Sequence, residues 1–170
     1  MANILRRSLW ARFQTSAPAA STAFGGAVVW ALAMVASALV GLYAEGWQTP
    51  AKVRDVAVIY LVGALIAFPP ALWLARVLSL GKPRDVACAA FFLALAVATI
   101  GITAAIYALD YRSYYTQWHA PAFSKSWTLQ FVFTIAGALY QFAVLGLRLY
   151  MPLGLVALLV AALWFARQPR

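Results

Sequence analysis

The chain has 170 residues, 65% hydrophobic and only 10% charged, with a mean hydropathy of +0.84. Soluble domains carry roughly 25% charged residues, so a water-soluble fold of this size is excluded and the class is an all-α, multi-pass membrane protein. The net charge of +9 comes from 13 basic and 4 acidic residues, but no basic run exceeds Arg6-Arg7, which fits helix anchors at anionic headgroups and speaks against nucleic acid as a partner.

Residues 1–21 read as a cytoplasmic N-terminal segment. Within it, Leu5, Leu9 and Phe13 recur every four residues, the spacing of a short helix lying on a membrane surface over residues 4–14. Arg6, Arg7 and Arg12 resemble the basic start of a signal peptide. The apolar run that follows, 22–43, has 22 uncharged residues, longer than the usual 7–15 of such peptides. At 1.5 Å per residue it rises about 33 Å, enough for the hydrocarbon core, and is read as an uncleaved first span.

Residues 22–170 are read as a single transmembrane bundle. The second span is 56–75, where Pro69-Pro70 is expected to kink the far end. The third is 86–109, 24 residues without charge, and the fourth is 127–147, bracketed by Lys125 and Arg148. A fifth apolar segment, 149–166, has 18 residues and would make about 27 Å of helix.

Arg148 is the only charge between Lys125 and Arg167. As one helix, residues 127–166 would be about 60 Å long, twice the hydrocarbon thickness. A break is therefore required, and Pro152 supplies it, because proline is tolerated in the first turn of a new helix. The expectation is a turn through 149–152 with Arg148 at the inner headgroups. Orientation follows from basic residues in short loops. With four crossings, Arg6, Arg7, Arg12, Arg76, Lys82, Arg84, Arg148, Arg167 and Arg170 lie inside and Lys52, Arg54, Arg112 and Lys125 outside, nine against four. With five crossings Arg167 and Arg170 move out, giving seven against six. The N-terminus is placed in the cytoplasm of what reads as a bacterial inner membrane, and the side of the C-terminus stays open.

"KVRDVA" at 52–57 and "KPRDVA" at 82–87 agree at five of six positions. The simplest reading is two helix starts with Asp55 and Asp85 as caps. An inverted repeat of the transporter kind is the sharper alternative, but the match ends at the cap.

Catalytic equipment is sparse. Glu45, Asp55, Asp85 and Asp110 all fall at span ends, leaving no intramembrane carboxylate for proton-coupled transport or aspartyl chemistry. One histidine, His119, excludes a bis-histidine haem within the bundle. No Gly-x-Ser-x-Gly elbow and no metal-ligand spacing occur, and the lone Cys88 has no disulfide partner within the chain. No catalytic, cofactor or metal residue is therefore nominated, and an enzyme is not expected.

Two features could carry function. Gln130, Thr134, Gly137, Gln141 and Arg148 fall on one face of the fourth span, either as interhelical glue or as the wall of a polar path. The third loop, 110–127, holds the aromatics Tyr111, Tyr114, Tyr115, Trp118, Phe123 and Trp127, together with His119. Such aromatics form an interfacial belt or a partner-docking surface, and His119 reads as an exposed loop residue. Ala33, Ser37 and Gly41, and likewise Ala90, Ala94 and Ala98, are small residues at intervals of four that let helices approach closely. The leading reading is a non-catalytic accessory or scaffold subunit, in contact with lipids and with other subunits or further copies of itself. An oligomeric channel or permease component is the alternative, and a lipid-modifying enzyme the third.

Overall fold

The computed structural model describes residues 16–168. The surface helix expected at 4–14, and Arg170, lie outside them. The described residues form five α-helices: α1 Ala20–Ala44, α2 Pro50–Ser79, α3 Arg84–Tyr115, α4 Lys125–Val144 and α5 Leu153–Arg167. Short 3-10 segments, Thr116–Trp118 and Gly146–Tyr150, follow α3 and α4. There is no strand among the described residues. Four helices are long and apolar enough to cross a membrane, the fourth counted as Lys125–Tyr150, and α5 is shorter. The protein is an all-α membrane bundle.

The helices begin where local chemistry allows. Pro50 opens α2, its fixed φ suited to a first turn that needs no N–H. Asp55 therefore lies inside the helix, paired with Arg54 at 3.1 Å on the exposed surface. In α3, Pro83 is the N-cap and Asp85 sits in the first turn without a capping bond. Neither aspartate is the cap expected of it, although Asp85 still meets the positive helix end. Helix α2 runs unbroken through Pro69 and Pro70. Gly46 and Gly81 take φ of +79° and +70° in the turns after α1 and α2, a conformation glycine adopts without a Cβ clash.

Helices α1, α2 and α3 run up, down and up, with a shared core of small and aromatic residues. Gly26 of α1 receives the Phe68 ring of α2. Phe68 meets Phe91 of α3 edge-on at 6.0 Å, and Phe91 stacks on Phe165 of α5 at 4.6 Å. Nearer the other end, Gly63 of α2 lies against Thr103 of α3.

The last third of the chain departs from expectation. Arg112 of α3 sits over Phe131 of α4, and Tyr107 bonds Gln141, so α4 runs down α3. Gly154 then bonds Ser37 and Phe165 stacks on Phe91, so α5 continues down in the same direction. The two helices are not a pair of opposed spans. They form one discontinuous fourth pass, broken at Gly146–Tyr150. From 131 to 142, α4 advances eleven residues while α3 advances five, from 112 to 107, so α4 crosses α3 at a steep incline. The C-terminal end of α5 therefore lies with the start of α1.

The chain does break around Arg148, but the side differs from that expected. Leu149 packs against Gly41, near the C-terminus of α1. Arg148 thus stands toward the end opposite Arg167, not with it. The reason is the uninterrupted direction through the break: the 3-10 segment steps sideways onto α1 and does not reverse the chain.

Candidate functional site

The break is the chemically richest part of the bundle. Within hydrocarbon, non-helical backbone persists only where protein satisfies its polar groups. Here two side chains do so. The Ser37 hydroxyl donates to the Leu149 carbonyl at 2.7 Å and accepts from the Gly154 N–H at 3.1 Å. The Tyr60 hydroxyl of α2 donates to the Gly146 carbonyl. Tyr60 packs on Tyr150 at 4.9 Å and on Phe142 at 6.4 Å between ring centres. Leu149 and Tyr150 are buried, whereas Arg148 is exposed. The Ala33–Ser37–Gly41 spacing therefore serves a contact inside this chain: Gly41 leaves room for the Leu149 side chain.

The polar face of α4 is occupied by bonds within the protein. Gln130 accepts from the Ala120 N–H at 2.8 Å. The Thr134 hydroxyl bonds the Gln130 carbonyl and lies 3.3 Å from Nε2 of His119. Gln141 accepts from the Tyr107 hydroxyl at 3.0 Å. Gln130 and Thr134 fasten the loop, Gln141 fastens α3, and Arg148 belongs to the break.

Helix α3 extends through the expected loop as far as Tyr115, since no glycine or proline interrupts 102–120. Tyr111, Tyr114 and Tyr115 are therefore helical. Tyr111 and Tyr115 pack at 4.7 Å, and Tyr114 and Tyr115 both contact Trp118. A second ladder, Phe123, Trp127 and Phe131, climbs α4 at 5.4 Å spacings. The Arg112 guanidinium of α3 lies 4.5 Å from the Phe131 ring, a cation–π contact that ties α3 to the second ladder. His119 is half-buried against Thr134 rather than free in the loop. Thr134 spends its single proton on the Gln130 carbonyl, so it accepts from His119 and Nε2 carries the hydrogen.

Phe123 belongs to the aromatic loop that the sequence marks out, but its backbone conformation had no signal there. Phe123 has φ of +66° and is 89% exposed. A left-handed backbone at a bulky residue costs roughly 1–2 kcal/mol, and this side chain regains little of that by burial. Among the described residues no group of three or more His, Cys, Asp or Glu side chains is placed to hold a metal ion. No family model, curated protein or solved structure matches the chain.

Proposed function

We propose that this protein is a non-catalytic accessory or scaffold subunit of a membrane complex, docking to a partner through the aromatic cap around Phe123. The observation that carries this reading is the strained, exposed Phe123. Backbone strain concentrates at sites where a side chain must be presented, and large aromatic residues are frequent anchors of interfaces. Two neighbours add support. Tyr114 and Trp118 are 62% and 59% exposed, and α4 buries only Ala138 and Phe142 while α1 buries seven residues. Much of α4 is thus left for lipid or for another helix. The membrane we propose is the bacterial inner membrane with the N-terminus cytoplasmic, supported by Arg6, Arg7 and Arg12 before the first span.

A solute path along Gln130, Thr134 and Gln141 gains no support, because their bonds turn them toward the loop and α3. Purification in mild detergent tests the subunit reading. A different polypeptide at fixed stoichiometry should accompany the wild-type chain and be lost from Phe123→Gly, while the variant melts at an equal or higher temperature. A lone homo-oligomer, or a partner retained by Phe123→Gly, counts against it.

A further inference from the structure

Arg148 stands at the break with a fixed backbone and a free side chain. Its carbonyl accepts from the Met151 N–H at 2.9 Å, and the next carbonyl, of Leu149, is bonded to Ser37. Leu149 and Tyr150 are buried, so the chain on this side of Arg148 is anchored in the core while the guanidinium points out of it. Among the described residues, the Arg54–Asp55 contact is the only ion pair. Glu45, Asp55 and Asp110, the acids toward this end of the bundle, do not reach Arg148. Among the described residues the guanidinium thus has no anion partner, and Leu145 and Met151, three residues to either side of it in the chain, are both more than half exposed.

Its depth can be read from α1. Leu149 packs on Gly41, four residues before Glu45, about 6 Å along the helix. The backbone of Arg148 therefore lies about one helical turn below the first charged residue of this end. Arginine side chains at such depth extend toward the headgroups while their stems stay in the apolar layer. The group waiting there is phosphate, and the planar guanidinium matches two phosphate oxygens at once.

We propose that Arg148 binds the headgroup phosphate of a phospholipid in the leaflet at the C-terminal end of α1, with Leu145 and Met151 as the apolar wall for its acyl chains. This is independent of the accessory-subunit reading, since lipid and not protein is the ligand.

Native mass spectrometry of the purified full-length chain in mild detergent tests it. The probes are phosphatidylglycerol, phosphatidylcholine and diacylglycerol of the same acyl length. Both phospholipids should form a one-lipid adduct on the wild type, with diacylglycerol about tenfold weaker, the loss of one charge-assisted contact. Arg148→Gln should weaken the phospholipid adducts about tenfold, to the diacylglycerol level. Arg148→Lys should fall between, keeping the charge but losing the fork. It also carries the test should the glutamine variant fail to fold. Lys125→Gln should leave binding unchanged. Inorganic phosphate in excess should leave the lipid adduct in place. Equal retention by Arg148→Gln, or equal binding of diacylglycerol, overturns the proposal. Displacement of the lipid by inorganic phosphate overturns the lipid as the source of the phosphate.

Discussion

Ser37 and Leu149, 112 residues apart, are joined by a 2.7 Å hydrogen bond from the serine hydroxyl to the leucine carbonyl. The same hydroxyl oxygen accepts from the Gly154 N–H, so one side chain of α1 closes both sides of the break in the fourth pass. Its one proton donates and its lone pair accepts. Alanine at this position leaves a carbonyl and an N–H buried without partners. The expected cost of Ser37→Ala is about 1–3 kcal/mol, read from denaturant unfolding in detergent. Cysteine, a weaker donor and acceptor of similar shape, should lose less. A loss below about 0.5 kcal/mol would mean that lipid or water satisfies the break instead.

The continuous direction through α4 and α5 fixes the side of the C-terminus. In a Cys88→Ala background, cysteines at Lys82 and Gln168 should react with an impermeant reagent from one face of the membrane. Cysteines at Lys52 and Lys125 should react from the other. Reaction of Gln168 together with Lys52 would restore five crossings and undo the discontinuous pass.

That direction was beyond the reach of the sequence for a physical reason. The length of 127–166 demands a break, and Pro152 marks it, but a break between apolar segments looks the same whether the chain reverses or continues. What decides is Phe165 against Phe91 and Gly154 against Ser37, contacts between segments remote in the chain. The membrane class and the position of the first three spans were legible because hydrocarbon thickness imposes a run length. The polar face of α4 was legible as a face, because the helical period places Gln130, Thr134 and Gln141 in register. Its partners Tyr107, His119 and Ala120 were not, since loop closure and the incline of α4 bring them there. Asp55 and Asp85 misled because a good capping residue loses to a proline that starts the helix earlier. Phe123 was legible as one of the loop aromatics, but its left-handed backbone was not, since such a turn normally announces itself with glycine or asparagine.

Two glycines with opposite surroundings offer a test of the packing. A Cβ at Gly63 would collide with the Thr103 side chain and come within 3.0 Å of its Cα, which is backbone and cannot rotate away. Gly63→Ala should therefore destabilise by about 1–3 kcal/mol, the usual cost of overpacking. A Cβ at Gly137 meets nothing within 4 Å, so Gly137→Ala should be neutral or stabilise by up to about 1 kcal/mol through helix propensity. Thermal melts of the two variants in one detergent make the comparison, and equal effects would place α2 and α3 further apart than described.

The bond from Tyr107 to Gln141 separates a fastened α4 from one held only by lipid. Tyr107→Phe removes the donor and Gln141→Leu the acceptor, so a double-mutant cycle isolates their coupling. Interhelical bonds of this kind average about 0.6 kcal/mol and reach about 1.7, and coupling in that range is expected here. Phe142 also packs on Tyr107, ring centres 6.0 Å apart, and survives both substitutions, so the cycle reports the hydrogen bond and not the packing. Each single variant should leave the Ser37 clasp intact and add to Ser37→Ala without coupling, because Ser37 has no hydrogen bond to either side chain. Strong coupling between Ser37 and Gln141 would instead mean that α4 and the break move as one rigid unit, and the independent roles assigned to them would fail.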